Sequence, residues 1–142
     1  MSTRFVLLYA TLQADGRVVD LAADQLASAG EVLGAVCTVT SQEYPPQTPT
    51  VILDPQLRPQ PPRRGLRRRL YQVWRLISGN RTSTRYWRLL RTNTRAQQLL
   101  ADADIVVSLD GYSVEAAWRL AKSRKLRAAN GVVGARWMAG ER

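Results

Sequence analysis

The stretch that decides the fold is FVLLYATLQADGRVVDLAADQLASAGEVLGAVCTV, residues Phe5 to Val39. Its first five residues, Phe5–Tyr9, form an apolar run that is too short for a helix and typical of a strand buried on both faces. Apolar side chains then recur at helical spacing, at Val18, Ala22, Leu26 and Ala29. Gly30 follows them, where a helix end favours a residue that tolerates positive φ. Leu33–Val39 is the next apolar run, so the pattern predicts a β-α-β unit and a parallel sheet with a right-handed crossover.

The last third of the chain returns to the same pattern. Asp104–Leu109 is predicted to be another buried strand, and Ser113 is a candidate cap for the helix that follows it. Val132–Ala135 is predicted to be a final strand. Trp137 and Met138 are expected to pack back on the sheet, and the alternative is that they are exposed and suit a partner. The sequence therefore predicts an α/β fold with a Rossmann-like parallel sheet.

The positive charge is concentrated in one segment. Pro55–Ala101 contains 12 arginines and no acidic residue, whereas the rest of the chain has 9 basic and 11 acidic residues. This segment therefore accounts for the entire net charge of +10. We interpret residues 1–142 as a single domain in which residues 55–101 form a basic helical insert.

The insert has an internal order that can be read from its residues. Val51–Leu53, just before it, is a candidate short strand, and Pro55–Pro62 is a proline-rich linker that cannot be helical. A helix is predicted from Leu66 and ends at Ser78–Asn80, where the residues favour a turn. A second helix is predicted from about Ser83 to Ala101, with arginines along one stripe.

Three interpretations of the basic insert remain open. Its arginines can form a solvated face while its aromatic side chains pack against the sheet. They can also dock on a membrane surface, with rings at headgroup depth and guanidinium groups on lipid phosphates. The third interpretation is nucleic-acid binding, although the sequence has no RNA-recognition, zinc-finger or helix-turn-helix signature. The candidate membrane or phosphate contacts are Arg67, Arg68, Arg69, Trp74, Arg81, Arg85, Trp87 and Arg88.

The set of reactive side chains excludes several kinds of chemistry. The chain has no histidine, and its one cysteine, Cys37, lies in an apolar run. A zinc site, a cysteine–histidine pair and the usual serine triad are therefore excluded. The Leu12–Arg17 loop has neither a P-loop nor a GxGxxG signature. We expect no metal and no cofactor.

Two polar loops follow predicted strands. The first contains Thr11, Gln13, Asp15, Gly16 and Arg17, and the second contains Asp110, Gly111, Tyr112 and Ser113. Because the carboxyl ends of parallel strands share one edge of a sheet, we expect these loops to form a polar cleft for a sugar or a phosphate-bearing acceptor. Asp110 is the only candidate catalytic base, and a carboxylate at this position is also typical of one that caps a turn.

Four stretches of this chain follow a known order. Asp15–Val18 reads DGRV, the helix end Leu26–Gly30 reads LASAG before a strand, Ala103–Asp110 reads ADIVVSLD, and Ala116–Ala121 reads AAWRLA in the helix behind it. Together they resemble the N-terminal half of GT-B-fold, family-4-type glycosyltransferases. That family opens with a strand, an Asp-x-Arg-Val turn and a helix ending Leu-x-x-x-Gly-x-x-Val, and a later strand reads Ala-Asp-x-x-His-x-His-Asp.

The resemblance implies the acceptor- or membrane-binding half of a sugar-transfer system in polysaccharide or glycolipid biosynthesis. Two departures qualify it: Ser108 stands where the family's strand carries a histidine, and no part of the sequence corresponds to the donor-binding half. The resemblance therefore implies an acceptor-side half-domain, a degenerate homologue or a fragment, which would work with a separate donor-binding half. No autonomous activity is expected, and whether the chain is an enzyme stays open.

The expected location is the cytoplasm, with peripheral attachment to the inner face of the membrane if the basic insert docks there. The sequence shows no signal peptide and no apolar run near the length of a membrane span. The alternative function is a non-catalytic basic adaptor that binds nucleic acid or an acidic protein partner.

Overall fold

The computed structural model describes residues 2–56 and 82–140 of the chain. These residues form a five-stranded, all-parallel sheet with helices on both faces, which confirms the predicted α/β, Rossmann-like fold. The strands are β1 (Thr3–Tyr9), β2 (Gly30–Cys37), β3 (Thr50–Ile52), β4 (Ile105–Ser108) and β5 (Arg127–Asn130). They lie in the order β3-β2-β1-β4-β5.

Helices connect and flank these strands. They are α1 (Gly16–Leu26), α2 (residues 82–92), α3 (Thr94–Ala101), α4 (Val114–Ser123) and α5 (Gly131–Gly140), and a 3-10 turn, Gly111–Ser113, precedes α4. Of the predicted insert, residues 55–56 and 82–101 are described. Most of the predicted linker and the first predicted helix of the insert lie outside the described residues.

The opening β-α-β unit is present as β1, α1 and β2. Asp15 caps α1, because its side chain accepts a hydrogen bond from the N–H of Arg17 at 2.9 Å. The interpretation of Gly30 as a helix end is wrong, since α1 ends at Leu26 and Gly30 is the first residue of β2. Gly30 pairs with Thr3, and a Cβ at this position would overlap the carbonyl oxygen of Thr3. Glycine is needed here because two backbones approach closely.

The sheet separates two hydrophobic cores. Along β1, Phe5 and Leu7 point to one face while Val6 and Leu8 point to the other, and all four side chains are fully buried. Helices α1 and α5 cover the Phe5 face, and helices α2, α3 and α4 cover the Val6 face. Right-handed crossovers explain this division, because the chain moves across the sheet in one direction from β1 to β2 and in the other direction from β3 to β4 and β5.

The predicted helix from Ser83 to Ala101 is two helices. Asn93 divides them, and its side chain accepts a hydrogen bond from the N–H of Ala96 at 3.0 Å, which caps α3. Tyr86 fixes α2 on the sheet, since its ring is buried and its hydroxyl donates to the carbonyl oxygen of Val36 at 2.6 Å.

The prediction that Val132–Ala135 forms the last strand is wrong, because the last strand comes just before these residues. The edge strand is β5, whose register pairs Ser108 with Asn130, and Val132–Ala135 lies in α5. Gly131 begins that helix with φ of 76°. The β-branched pair Val132 and Val133 suggested a strand, but the residues that contact the core follow helical spacing. Those residues are Val132, Ala135, Met138 and Ala139.

The two residues at the end of α5 have different surroundings. Met138 packs against the core as predicted. Trp137 does not, because it lies on the opposite side of α5 and 65% of its surface is exposed.

Candidate functional site

The two loops singled out in the sequence meet at the centre of the sheet. The strand order reverses at β1, which has β2 on one side and β4 on the other. In open α/β sheets the crevice outside the carboxyl ends of such strands is the usual ligand position. The loop after β1 and the loop after β4 lie at this edge, where Ala10 and Thr11 of the first contact Asp110 of the second.

Asp110 joins the two loops. One carboxylate oxygen accepts a hydrogen bond from the N–H of Ala10 at 3.2 Å, and the other accepts one from the Thr11 hydroxyl at 2.7 Å. The first oxygen also accepts from the N–H of Ser113 at 3.1 Å, which makes Asp110 the cap of the 3-10 turn. These three bonds are the contacts of a turn-capping carboxylate, and the catalytic role of Asp110 stays a prediction.

Ser113 does not cap α4 through its side chain. It is fully buried, and its hydroxyl donates to the carbonyl oxygen of Leu8 or to that of Asp110, both at 3.1 Å. Tyr112 is partly buried and packs against the core. Gly111 is exposed, and a Cβ added to it would meet nothing within 4 Å. Of the second loop, Gly111 therefore faces the most open space.

The residues of the first loop fall into two groups. Thr11 lies beside Asp110 at the reversal point, and Gln13 is exposed near it in sequence. Gly16 and Arg17 instead contact Tyr44 in the segment 44–48, which connects β2 to β3, and Asp15 contacts Arg17. The Arg17 guanidinium pairs with Asp15 at 2.9 Å, and the hydrogen bonds from Arg17 hold the pKa of the Asp15 carboxyl below its usual value.

The sequence analysis missed three polar residues that end a strand or directly follow one. Thr38, after β2, donates its hydroxyl hydrogen to the carbonyl oxygen of Ala10 at 3.2 Å, and Asn130 ends β5 with an exposed side chain. Burial raises the pKa of Tyr9 at the end of β1, and the charges of Asp110 and Asp15 add to the effect. The sequence could have indicated these residues only by their position at or directly after the end of a strand.

Residues 82–101, which were predicted to belong to a basic insert, pack on the sheet with one side and expose arginines on the other. Arg88, Arg91 and Arg95 are exposed, whereas Arg85 forms an ion pair with Asp54. The remaining candidate contacts of the insert, Arg67, Arg68, Arg69, Trp74 and Arg81, lie outside the described residues.

Helix α4 extends this basic face, and the sequence analysis did not include it. The guanidinium of Arg119 lies 5.7 Å from the ring centroid of Trp87, which packs partly against the core. One turn away, the Lys122 ammonium lies 4.7 Å from the centroid of Trp118, whose surface is 58% exposed. We call helices α2, α3 and α4 the basic layer, and helices α1 and α5 the neutral layer.

The described residues hold little reactive chemistry. Residues 2–56 and 82–140 contain no group of three or more histidine, cysteine or carboxylate side chains that could hold a metal ion. Burial, with a contribution from Asp110, raises the pKa of the Cys37 thiol to about 12, so this cysteine is a poor nucleophile. No helix in the same residues is long and apolar enough to cross a membrane.

The chain was compared with known proteins at three levels. Neither the family models, nor the curated proteins, nor the solved structures contain a match to it.

Proposed function

We propose that this chain is the acceptor- or membrane-binding half of a sugar-transfer system, as its resemblance to the N-terminal half of a GT-B glycosyltransferase implies. One observation carries the proposal. The two loops that the resemblance concerns leave adjacent strands at the reversal point and are tied together by Asp110. The parallel topology supports the proposal because it brings both loops to one edge of the sheet.

The carboxyl edge offers polar groups suited to a hydroxyl-rich ligand. Sugar hydroxyls both donate and accept hydrogen bonds, and Gln13 and Asn130 carry amides that do the same. A Cβ added to Gly111 would meet nothing within 4 Å, so a ligand can approach the backbone at that residue. The chemical step is assigned to the donor-binding half, since both oxygens of Asp110 already accept hydrogen bonds from the chain itself.

The membrane part of the proposal rests on the basic layer. Its helices carry six basic residues and one acidic residue, and two exposed or half-buried tryptophans lie beside the cations. Cations beside aromatic rings match the chemistry of anionic lipid headgroups. The same chemistry also suits nucleic acid, so the experiment must separate these two ligands.

An activity assay tests the sugar-transfer half of the proposal. The purified chain is expected to transfer no sugar from any nucleotide-sugar, and activity is expected only after a donor-binding polypeptide is added. Turnover by the chain alone that is lost in Asp110→Asn would contradict the proposal, because the amide oxygen of that variant can still accept the hydrogen bonds of Ala10 and Ser113.

A vesicle-binding assay tests the membrane half. The triple variant Arg88→Gln, Arg91→Gln, Arg95→Gln should bind vesicles of phosphatidylglycerol and phosphatidylcholine roughly 100-fold more weakly, since each basic residue near an anionic surface contributes about 1 kcal/mol. As a matched pair of single changes, Arg88→Gln should weaken binding while Arg136→Gln, on the neutral layer, should not.

The control ligand in that assay is a short nucleic-acid duplex. Weak binding to vesicles together with strong, steeply salt-dependent binding to the duplex would replace the membrane proposal with the adaptor function. If neither ligand binds, the arginines form a solvated face and the membrane proposal fails.

A further inference from the structure

The connection between β2 and β3 has no helix. In its place, the segment 44–48 runs along α1 from the first turn of that helix to its second. The connection then enters the sheet at Pro49, whose carbonyl oxygen accepts a hydrogen bond from the N–H of Ala35 at 2.9 Å. This segment therefore takes the place of the second crossover helix.

Asp20 fixes the C-terminal end of the segment. Its carboxylate accepts hydrogen bonds from the N–H groups of Gln47 and Thr48 and from the Thr48 hydroxyl, at 2.7–3.1 Å. Partial desolvation would raise the pKa of Asp20, but these hydrogen bonds outweigh it and the pKa is lowered. A single side chain of α1 thus accepts the backbone hydrogen bonds of two consecutive residues.

The N-terminal end of the segment packs against Gly16. The N–H of Gly16 donates to the carbonyl oxygen of Tyr44 at 2.8 Å, and a Cβ on Gly16 would overlap backbone atoms of Tyr44, Pro45 and Pro46. The Arg17 guanidinium carbon lies 3.6 Å from the centroid of the Tyr44 ring. The segment therefore fits only against a residue without a side chain.

The three backbone N–H groups in the first turn of α1 all have acceptors within the chain. The N–H of Gly16 bonds to Tyr44, the N–H of Arg17 to the Asp15 side chain, and the N–H of Val18 to the Asp15 carbonyl oxygen. In many α/β proteins the N-terminus of the helix after β1 binds phosphate through such groups. Here the chain itself occupies them.

We propose that residues 44–48 are a latch that closes the N-terminal end of α1 and opens as one unit, with Asp20 as the side chain that holds it shut. While the latch is closed, ligands reach the ends of β1, β4 and β5 but not the first turn of α1. The latch is independent of the proposed sugar-transfer function, since it needs no ligand to close.

Amide hydrogen exchange of the full chain tests whether the latch opens as one unit. Asp20→Ala should raise the exchange rates of Gln47, Thr48 and Gly16 together by at least tenfold, because removing the acceptor at one end frees both ends. Asp24→Ala, one turn further along the exposed side of α1, is the matched control and should change none of them. Faster exchange at Thr48 with unchanged exchange at Gly16 would show that the ends open separately and would overturn the proposal.

A second variant approaches the latch from its other end. Gly16→Ala should displace Tyr44 and raise the exchange rate of Thr48, and the proposal fails if that rate is unchanged. If Gly16→Ala does not fold, the Asp20→Ala comparison decides alone.

Inorganic pyrophosphate tests the closed state of the unaltered protein. It should leave the amide resonances of Gly16 to Val18 unmoved, and a shift confined to those three residues would also overturn the proposal.

Discussion

The two helical layers cover the same sheet but show different faces to solvent. Helices α2, α3 and α4 of the basic layer carry six basic residues and one acidic residue, whereas α1 and α5 of the neutral layer carry two of each. The exposed large apolar side chains of the neutral layer are Val18, Leu21, Val133 and Trp137. Toward the sheet, both layers present the same kinds of small and branched apolar side chains.

This difference shows which part of the sequence the fold constrains. Burial against the sheet selects apolar residues on the inner side of every helix, and it makes no demand on the outer side. The contrast in charge therefore has no explanation in folding. The predictions below first test the buried side of both layers, where they are alike, and then the exposed side, where they differ.

The largest expected loss of stability is for changes inside the sheet, which both layers cover. Val106 and Val107 are adjacent, fully buried, and point to opposite layers. Val106→Asp and Val107→Asp should each destabilise the fold by at least about 4 kcal/mol, because neither face of a central parallel strand admits an unpaired carboxylate. Thermal unfolding followed by circular dichroism measures this, with Val133→Asp, at a position 84% exposed, as the tolerated control. A normal melting temperature for either buried variant would mean that its layer does not seal the sheet.

A smaller loss of stability is expected at alkaline pH. Its source is Cys37, which lies under the neutral layer. The folded-state pKa of its thiol is about 12, above the value near 8.5 of an unfolded cysteine, so the unfolded state loses this proton first. Its contribution to stability is complete below about pH 8.5 and falls as the pH rises toward 12, by about 2 kcal/mol at pH 10. Urea unfolding at pH 7 and pH 10 should show this loss in the parent, and Cys37→Ala should lack that part of it.

Tyr86 should contribute about 1 kcal/mol through its hydroxyl. Tyr86→Phe keeps the ring that packs under the basic layer and removes the hydrogen bond to Val36. We expect lower stability in urea and unchanged binding to anionic vesicles, since the outer side of the layer is not altered. Equal stability of parent and variant would show that this bond does not hold α2 on the sheet.

The smallest effects on stability are expected for the two exposed tryptophans, one on each layer. Trp118→Ala and Trp137→Ala should each change the free energy of unfolding by no more than about 0.5 kcal/mol. Only Trp118→Ala should weaken binding to anionic vesicles, because Trp118 lies beside Lys122. Equal loss of binding in both variants would remove the functional distinction between the layers.

Much of the fold could be predicted from short-range patterns. Phe5–Tyr9, Leu33–Val39 and Asp104–Leu109 were identified as strands because a parallel sheet buries both sides of its strands, which leaves continuous apolar runs. The assignment failed at Val132–Ala135, where two adjacent β-branched residues lie in a helix, with Val132 against the core and Val133 exposed. It failed also at Gly30, because a close approach to Thr3 depends on strand pairing that no local pattern records.

The site was predictable only in part for the same reason. Parallel topology was enough to bring the loops of Thr11 and Asp110 together. Their mutual hydrogen bonds span about 100 residues of sequence, and so do not appear in any local pattern. The contact of Gly16 with Tyr44 likewise joins segments that are distant in the sequence. No local pattern shows it, and the sequence therefore predicts that Asp15–Arg17 face a ligand, whereas Gly16 contacts the chain itself.

The hydrogen bond from Tyr86 to Val36 closes a loop of 50 residues. The entropy lost on closing such a loop grows only with the logarithm of its length, so doubling it would cost about 0.6 kcal/mol. The closure entropy of this loop therefore depends only weakly on its length, and the hydrogen bond of Tyr86 joins α2 to β2 across it.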